Sequence, residues 1–150
     1  ITRLIHDVAE LYGPLLDEAG LRLDTQPESG LTVVGDRDLL FQAVANLIDN
    51  VLKHVPSGGS VTLTSRCSPS GVDVVVADNG PGVPADERIR VLERFYRLDA
   101  SRTKPGAGLG LSLVKAVATL HDATLSLSEN DPGLQVALCF GREFAADKEV

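Results

Sequence analysis

Apolar residues recur along this chain with two distinct periods, and the switches between them divide it into elements. Over residues 4–19, Leu4, Ile5, Val8, Leu11, Tyr12, Leu15, Leu16 and Ala19 keep helical spacing. Gly13-Pro14 is expected to bend or interrupt that helix, and Gly20 to end it. Leu21-Arg22-Leu23-Asp24 and Leu31-Thr32-Val33-Val34 read as short strands around a Pro/Ser/Gly turn. A long helix follows Gly35-Asp36, with Asp36 as its cap, and Ser57-Gly58-Gly59 breaks it. Residues 61–67 and 72–77 alternate and are joined by Ser68-Pro69-Ser70-Gly71, the signature of a hairpin.

Residues 83–105 lose strong periodicity, apart from a short helix predicted around residues 87–95. A connection that long in a compact domain is often a functional lid. Leu111, Leu113, Val114, Val117 and Leu120 mark another helix, and the strand-like residues 123–128 and 134–140 flank a turn at Asn130-Asp131-Pro132-Gly133. The pattern predicts an α/β two-layer sandwich, one mixed sheet of about five strands with helices on one face. Residues 1–142 form the expected domain and residues 143–150 a polar tail.

The 150 residues, 43% of them hydrophobic, suit one domain with a real core. No apolar run approaches the roughly 20 residues that span a bilayer, and no signal peptide opens the sequence. Cys67 and Cys139 lack metal-ligand spacing and read as reduced core residues in a cytosolic setting. The net charge of -7 argues against a nucleic-acid binder. Residues 83–105 nevertheless hold six bases against four acids, which suits a small polyanion. A solvated helical face with mixed charges would look the same.

Three stretches carry candidate chemistry. On the long helix, Leu40, Ala43, Val44, Leu47, Ile48, Val51 and Leu52 cover one face, while Gln42, Asn46, Asp49, Asn50 and Lys53 gather on the other. Two Asn at i, i+4 are poor helix formers, so either this is an ordinary exposed face or the amides are wanted. In the second case the Asn50 oxygen suits Mg²⁺, a hard cation, and Lys53 can meet phosphate oxygens as a point charge. Asp78, in Asp78-Asn79-Gly80-Pro81-Gly82, continues the side of the strand that carries Val72, Val74 and Val76. A carboxylate there is costly unless something donates to it, and adenine's amino group is such a donor; a ligand-free turn would use the same residues. Gly106-Ala107-Gly108-Leu109-Gly110-Leu111 brings bare backbone up to a helix N-terminus, as a phosphate cradle or a hinge. The Lys-Ser/Thr of a P-loop is missing, and no strand immediately precedes the glycines, which disfavours the two commonest nucleotide folds.

In order and spacing, these stretches resemble the ATP-binding catalytic domain of bacterial sensor histidine kinases, a member of the Bergerat-fold group that includes gyrase and MutL. Residues 46–53 resemble the N box, 78–82 the G1 box, Glu93-Arg94-Phe95-Tyr96-Arg97 the F box of the ATP lid, and 106–110 the G2 box. The resemblance covers nearly the whole chain. It implies that Asn50 holds Mg²⁺, that Asn46 and Lys53 lie near the phosphates, and that Asp78 binds the adenine amino group with Gly80 and Gly82 lining the base. It further implies that Gly106, Gly108, Leu109 and Gly110 shape the lid base around the phosphates. Arg97, Arg102 or Lys104 would reach the γ-phosphate, with Asn46, Lys53 and Arg97 assisting catalysis. Phe95 and Tyr96 would pack the lid, although Phe95 as core filler is an equal reading.

The resemblance also implies partners: a histidine-bearing dimerisation domain of the same protein, a response regulator receiver domain, and a homodimer in the intact kinase. That parent protein would be cytoplasmic at this domain, with or without a membrane anchor. In the gyrase branch a Glu occupies the position of Asn46, where it activates water; an amide cannot act as that base. Phosphoryl transfer is therefore expected over brisk hydrolysis, with a catalytically degenerate binding module as the alternative. His121-Asp122-Ala123 departs from the family's His-Gly-Gly, and His6 lacks the family's phospho-acceptor motif, so the acceptor is expected outside this chain. His54, next to Lys53, is expected near the site or in a purely structural role.

Overall fold

A computed structural model describes residues 1–98, 102, 106 and 108–142. Helix α1 spans Thr2–Glu18, strand β1 Arg22–Pro27, helix α2 Arg37–His54, and the hairpin strands β2 and β3 Ser60–Ser68 and Gly71–Asp78. Two short 3-10 turns, Ala85–Glu87 and Arg90–Leu92, precede helix α3 at Gly110–Leu120 and strands β4 at Thr124–Glu129 and β5 at Leu134–Gly141. The five strands lie in the order β1-β2-β3-β5-β4. Only β1 and β2 run parallel, as a connection through α2 allows; the remaining neighbours are antiparallel.

The helices pack on one face of this sheet. Leu63, Val74, Val76, Val136, Leu138 and Phe140 face Ile5, Val8, Leu16, Val44, Ile48, Val51 and Val114 in one core cluster. Each of these is at most 4% exposed, so the sheet face under the helices is dry. The two-layer architecture expected from periodicity is the one observed.

Several local expectations are corrected. Helix α1 runs unbroken through Pro14, because a proline's φ is helical and the missing N–H removes only one bond, while Leu16 beyond it is fully buried. Leu31-Thr32-Val33-Val34 is no strand; only Val33 makes a bridge. After Pro27 the chain turns back to the start of α1, where Thr2 Oγ1 donates to the Glu28 carbonyl at 2.7 Å and accepts from Leu31 N–H at 3.0 Å. The helix expected at residues 87–95 is replaced by the 3-10 turns, since Val91 is buried but Ile89 is 79% exposed and no apolar stripe forms. Cys67 is exposed, and Cys139 half-buried on the sheet face away from the helices, so neither is a core residue; both are free thiols. The tail at 143–150 and Lys104 lie outside the described residues.

Candidate nucleotide site

Helix α2 is the element from which the site is built. Its N-terminus is fixed by Asp36, whose Oδ1 accepts from the N–H groups of Asp38 and Leu39, each at 3.0 Å. Its apolar face, including Ala43, Val44, Leu47, Ile48 and Val51, is buried against the sheet. That burial leaves Asn46, Asn50 and Lys53 on the other side, one helical turn apart. Asn46 Nδ2 donates to the Gln42 carbonyl at 2.8 Å, which turns the amide oxygen away from its own helix.

That oxygen meets the start of α3. A Cβ placed on Gly110, the first residue of α3, would lie 3.5 Å from Asn50 Oδ1 and 3.6 Å from Asn46 Oδ1. One placed on Gly106 would lie 3.9 Å from Lys53 Nζ. Two amide oxygens and an ammonium therefore stand opposite glycine backbone at a helix N-terminus, whose first N–H groups have no partner inside the helix. Leu109, the residue before α3, is 42% exposed.

The same helix reaches the strand that carries Asp78. Gly80 is buried, and a Cβ there would come within 2.8 Å of Val55 Cγ2, at the C-cap of α2. Asp78 Oδ1 accepts from Gly80 N–H at 2.9 Å and from Leu134 N–H at 3.4 Å. Gly82 has φ +71 and abuts the Gly133 carbonyl, with 2.8 Å to an added Cβ, so a side chain is excluded twice over. An open cleft of about 670 Å³ lies between the two elements, lined by Lys53, His54, Val55, Pro56, Asn79, Gly80 and Pro81. His54 thus belongs to its wall. The volume suits a small organic ligand.

The segment expected to form a lid is tied to the glycine stretch through backbone. Phe95 N–H donates to the Gly108 carbonyl at 3.0 Å, and Gly108, at φ +71, leaves only 2.7 Å between an added Cβ and the Tyr96 carbonyl. The Tyr96 hydroxyl donates to the Glu87 carboxylate, and the Arg90 guanidinium lies 4.8 Å from the centre of the Tyr96 ring. Tyr96 thus packs against residues of its own segment. Phe95 fills no core: it is 71% exposed and sits at φ 64, a strained backbone for an aromatic residue. Arg97 is half-buried with its Cγ 3.1 Å from the position of an added Gly108 Cβ, and Arg102 is exposed.

Asp49 points elsewhere. Burial raises the pKa of the Tyr12 hydroxyl, and the nearby Asp49 carboxylate raises it further, which puts that acid on the side of α2 toward α1. Asn130, Gly133, Asn79 and Val55 are the contacts that sequence reasoning missed. Their signal was only a turn motif and a helix end, and strand order puts them beside Asp78.

No three His, Cys, Asp or Glu side chains among the described residues group as a metal site. The Asn46 and Asn50 amide oxygens fit instead the sparse protein share of a Mg²⁺ shell, which is otherwise completed by phosphate oxygens and water.

Residues 35–143 match the family described as histidine kinase-, DNA gyrase B-, and HSP90-like ATPase. The chain belongs to that family. Within it, this is the histidine-kinase type of ATP-binding domain, as found in two-component sensor kinases. The signal transduction histidine-protein kinase/phosphatase MprB of Mycobacterium leprae is 48% identical over 107 residues, covering 71% of this chain and 21% of that protein. The chain thus spans about a fifth of such relatives. A mycobacterial sensor histidine kinase MprB structure superposes with a TM-score of 0.76 at 30% identity, covering 91% of each chain. Full-length ShkA in complex with AMPPNP gives a TM-score of 0.79 at 32% identity over 97% of this chain and 30% of that one.

Proposed function

We propose that this chain binds Mg-ATP between α2, the end of β3 and the lid, and passes the γ-phosphoryl group to a histidine on a separate dimerisation domain of the same protein. The observation that carries this reading is the convergence on α2: Asn46 and Asn50 oppose Gly110, Lys53 opposes Gly106, and Val55 abuts Gly80. Adenine would sit with its amino group on Asp78, between Gly80 and Gly82; of these three residues only Gly80 also lines the cleft. Lys53 and the N–H groups at the start of α3 would hold phosphate oxygens, with Asn46 and Asn50 oriented toward them. Asn50, with Asn46 nearby, would hold Mg²⁺, which would supply neutralisation of the phosphate charge.

Arg97, Arg102 or Lys104 would supply positive charge to the γ-phosphate. Catalysis by such a site is positioning and charge stabilisation, with the nucleophile brought by the acceptor. At the position where a general base would activate water, α2 carries the Asn46 amide, which takes no proton, and the Asp49 carboxylate lies toward Tyr12. A response regulator receiver domain would then take the phosphoryl group, and the intact kinase would act as a homodimer. The domain would work on the cytoplasmic side, where ATP is held. No helix among the described residues is long and apolar enough to cross a membrane.

The test is reconstitution. Titration calorimetry should show Mg²⁺-dependent binding of a non-hydrolysable ATP analogue. Mixing the chain with the histidine-bearing domain and γ-labelled ATP should give acid-labile, base-stable label. Persistent absence of label at nucleotide saturation would reject the transfer reading, and brisk phosphate release by the chain alone would replace it with an ATPase.

A further inference from the structure

Strand β3 ends at Asp78, and the antiparallel rungs with β5 stop one step earlier, at Ala77 opposite Gln135. At the next step the bonding pattern changes. Leu134 N–H turns to the Asp78 side chain, at 3.4 Å from Oδ1, while the Asp78 main-chain carbonyl accepts from Asn130 Nδ2 at 2.7 Å. Asn130 N–H closes its own turn by donating to the Gly133 carbonyl at 3.1 Å. Gly133, at φ +113, lies so close that an added Cβ would stand 1.9 Å from the Asp78 carbonyl oxygen and 2.9 Å from Asn79 Cα.

The β4–β5 turn therefore grips Asp78 from behind by both its peptide and its carboxylate. Both side-chain bonds of Asp78, from Gly80 and Leu134, fall on Oδ1. Oδ2 keeps its acceptor sites among the described residues, and its direction is set by this grip. We infer that Asn130 and Gly133 are positioning residues for base selection: they aim Asp78 Oδ2 at an exocyclic amino group and so favour adenine over a purine carrying a carbonyl there. The inference rests on the proposed role of Asp78.

The experiment measures dissociation constants of ATP, inosine triphosphate and base-free tripolyphosphate for the wild-type chain, Asn130→Ala and Asn130→Asp, with folding checked by circular dichroism. Asn130 is exposed, so both variants should fold. Loss of one hydrogen bond is expected to weaken ATP roughly fivefold to tenfold. Tripolyphosphate should bind as before, and the preference for ATP over inosine triphosphate should shrink. Asn130→Asp, which sets a carboxylate against a carbonyl, should lose at least as much. Equal losses for ATP and tripolyphosphate, or an unchanged preference in either variant, would overturn the inference. A wild-type chain that binds both nucleotides alike would remove the role of Asp78 itself, and this inference with it.

Discussion

Gly110→Ala separates what the site needs from what the fold needs. Gly110 opens α3 with a φ outside the left-handed region, and a methyl group there would meet the Asn50 and Asn46 oxygens at 3.5 and 3.6 Å, ordinary contact distances. The substitution should therefore fold without strain. Replacing Gly by Ala at a compatible position stabilises by about 0.4–1 kcal/mol, chiefly by reducing the freedom of the unfolded chain. The same methyl fills space between the two amide oxygens and the start of α3, where the Mg-triphosphate would lie. Losing one hydrogen bond to a charged group costs about 1.5–3 kcal/mol, or roughly a tenfold or greater loss of affinity. Ligand at 100 times the wild-type dissociation constant raises wild-type stability by about 2.7 kcal/mol, but a tenfold weaker variant by only about 1.4 kcal/mol. Thermal denaturation should then show the variant above wild type without nucleotide and below it with Mg-AMP-PNP. Equal ligand-induced shifts in the two proteins would refute placement of the triphosphate beside Gly110. A variant less stable without ligand would refute the geometry.

Three further outcomes are expected. Asn50→Ala should abolish the Mg²⁺-dependent part of nucleotide binding in calorimetry while leaving the fold intact, helped by about 0.5 kcal/mol of helix propensity; unchanged Mg²⁺ dependence would remove Asn50 as the ligand. Ser65, 1% exposed, has a hydroxyl with no partner among the described residues, so Ser65→Ala should raise stability by about 1 kcal/mol, seen as a higher urea midpoint at unchanged slope. The Cys139 thiol is pushed from 9.0 to about 11, first by burial and then by the Asp73 carboxylate. The folded state thus holds this proton longer than the unfolded chain. Its contribution to stability should be intact below about pH 9 and fade as pH rises toward 11, while iodoacetamide at neutral pH labels the exposed Cys67 well before Cys139.

What the sequence made legible was local or periodic. Helix α2 could be read because its apolar stripe is regular and Asp36 supplies a cap, and the β2–β3 hairpin because alternation on both sides meets a short turn. What it hid was tertiary. Leu31 looks like strand, yet its main chain bonds to Ile1 and Thr2 at the start of α1. The parallel pairing of β1 with β2 has no local signature at all. Asn130 lies 52 residues from Asp78, and only the placement of β5 beside β3 brings them together. Phe95 has the composition of core, but the lid around it buries no continuous apolar stripe, so it stands in solvent. The site's motif residues were nameable beforehand because each offends a local rule: amides in a helix, a carboxylate ending a valine row, three glycines before a helix. Their supports obey local rules and so gave no sign.

On the proposed function, the choice between transfer and hydrolysis would be made by rotation around α2. Residues 46, 49, 50 and 53 share its polar side, but one step of about 100° separates Asp49 from Asn50. That step is enough to bring Asp49 near Tyr12 on α1, while Asn46 and Asn50 face Gly110. The acid on this segment thus lies toward α1, and the α2 groups that face the glycine stretch are amides and an ammonium, which orient and neutralise but take no proton. On this reading, bound ATP waits for a nucleophile that arrives with its own basicity, as an imidazole does. Restoring a carboxylate by Asn46→Glu would place it opposite Gly110, where water could be activated, and should raise phosphate release by the isolated chain. Asp49→Asn should leave that rate where it is, because the acid it removes never faced the phosphates. A fall in phosphate release with Asp49→Asn, or no rise with Asn46→Glu in a variant that still binds nucleotide, would break the argument from rotation.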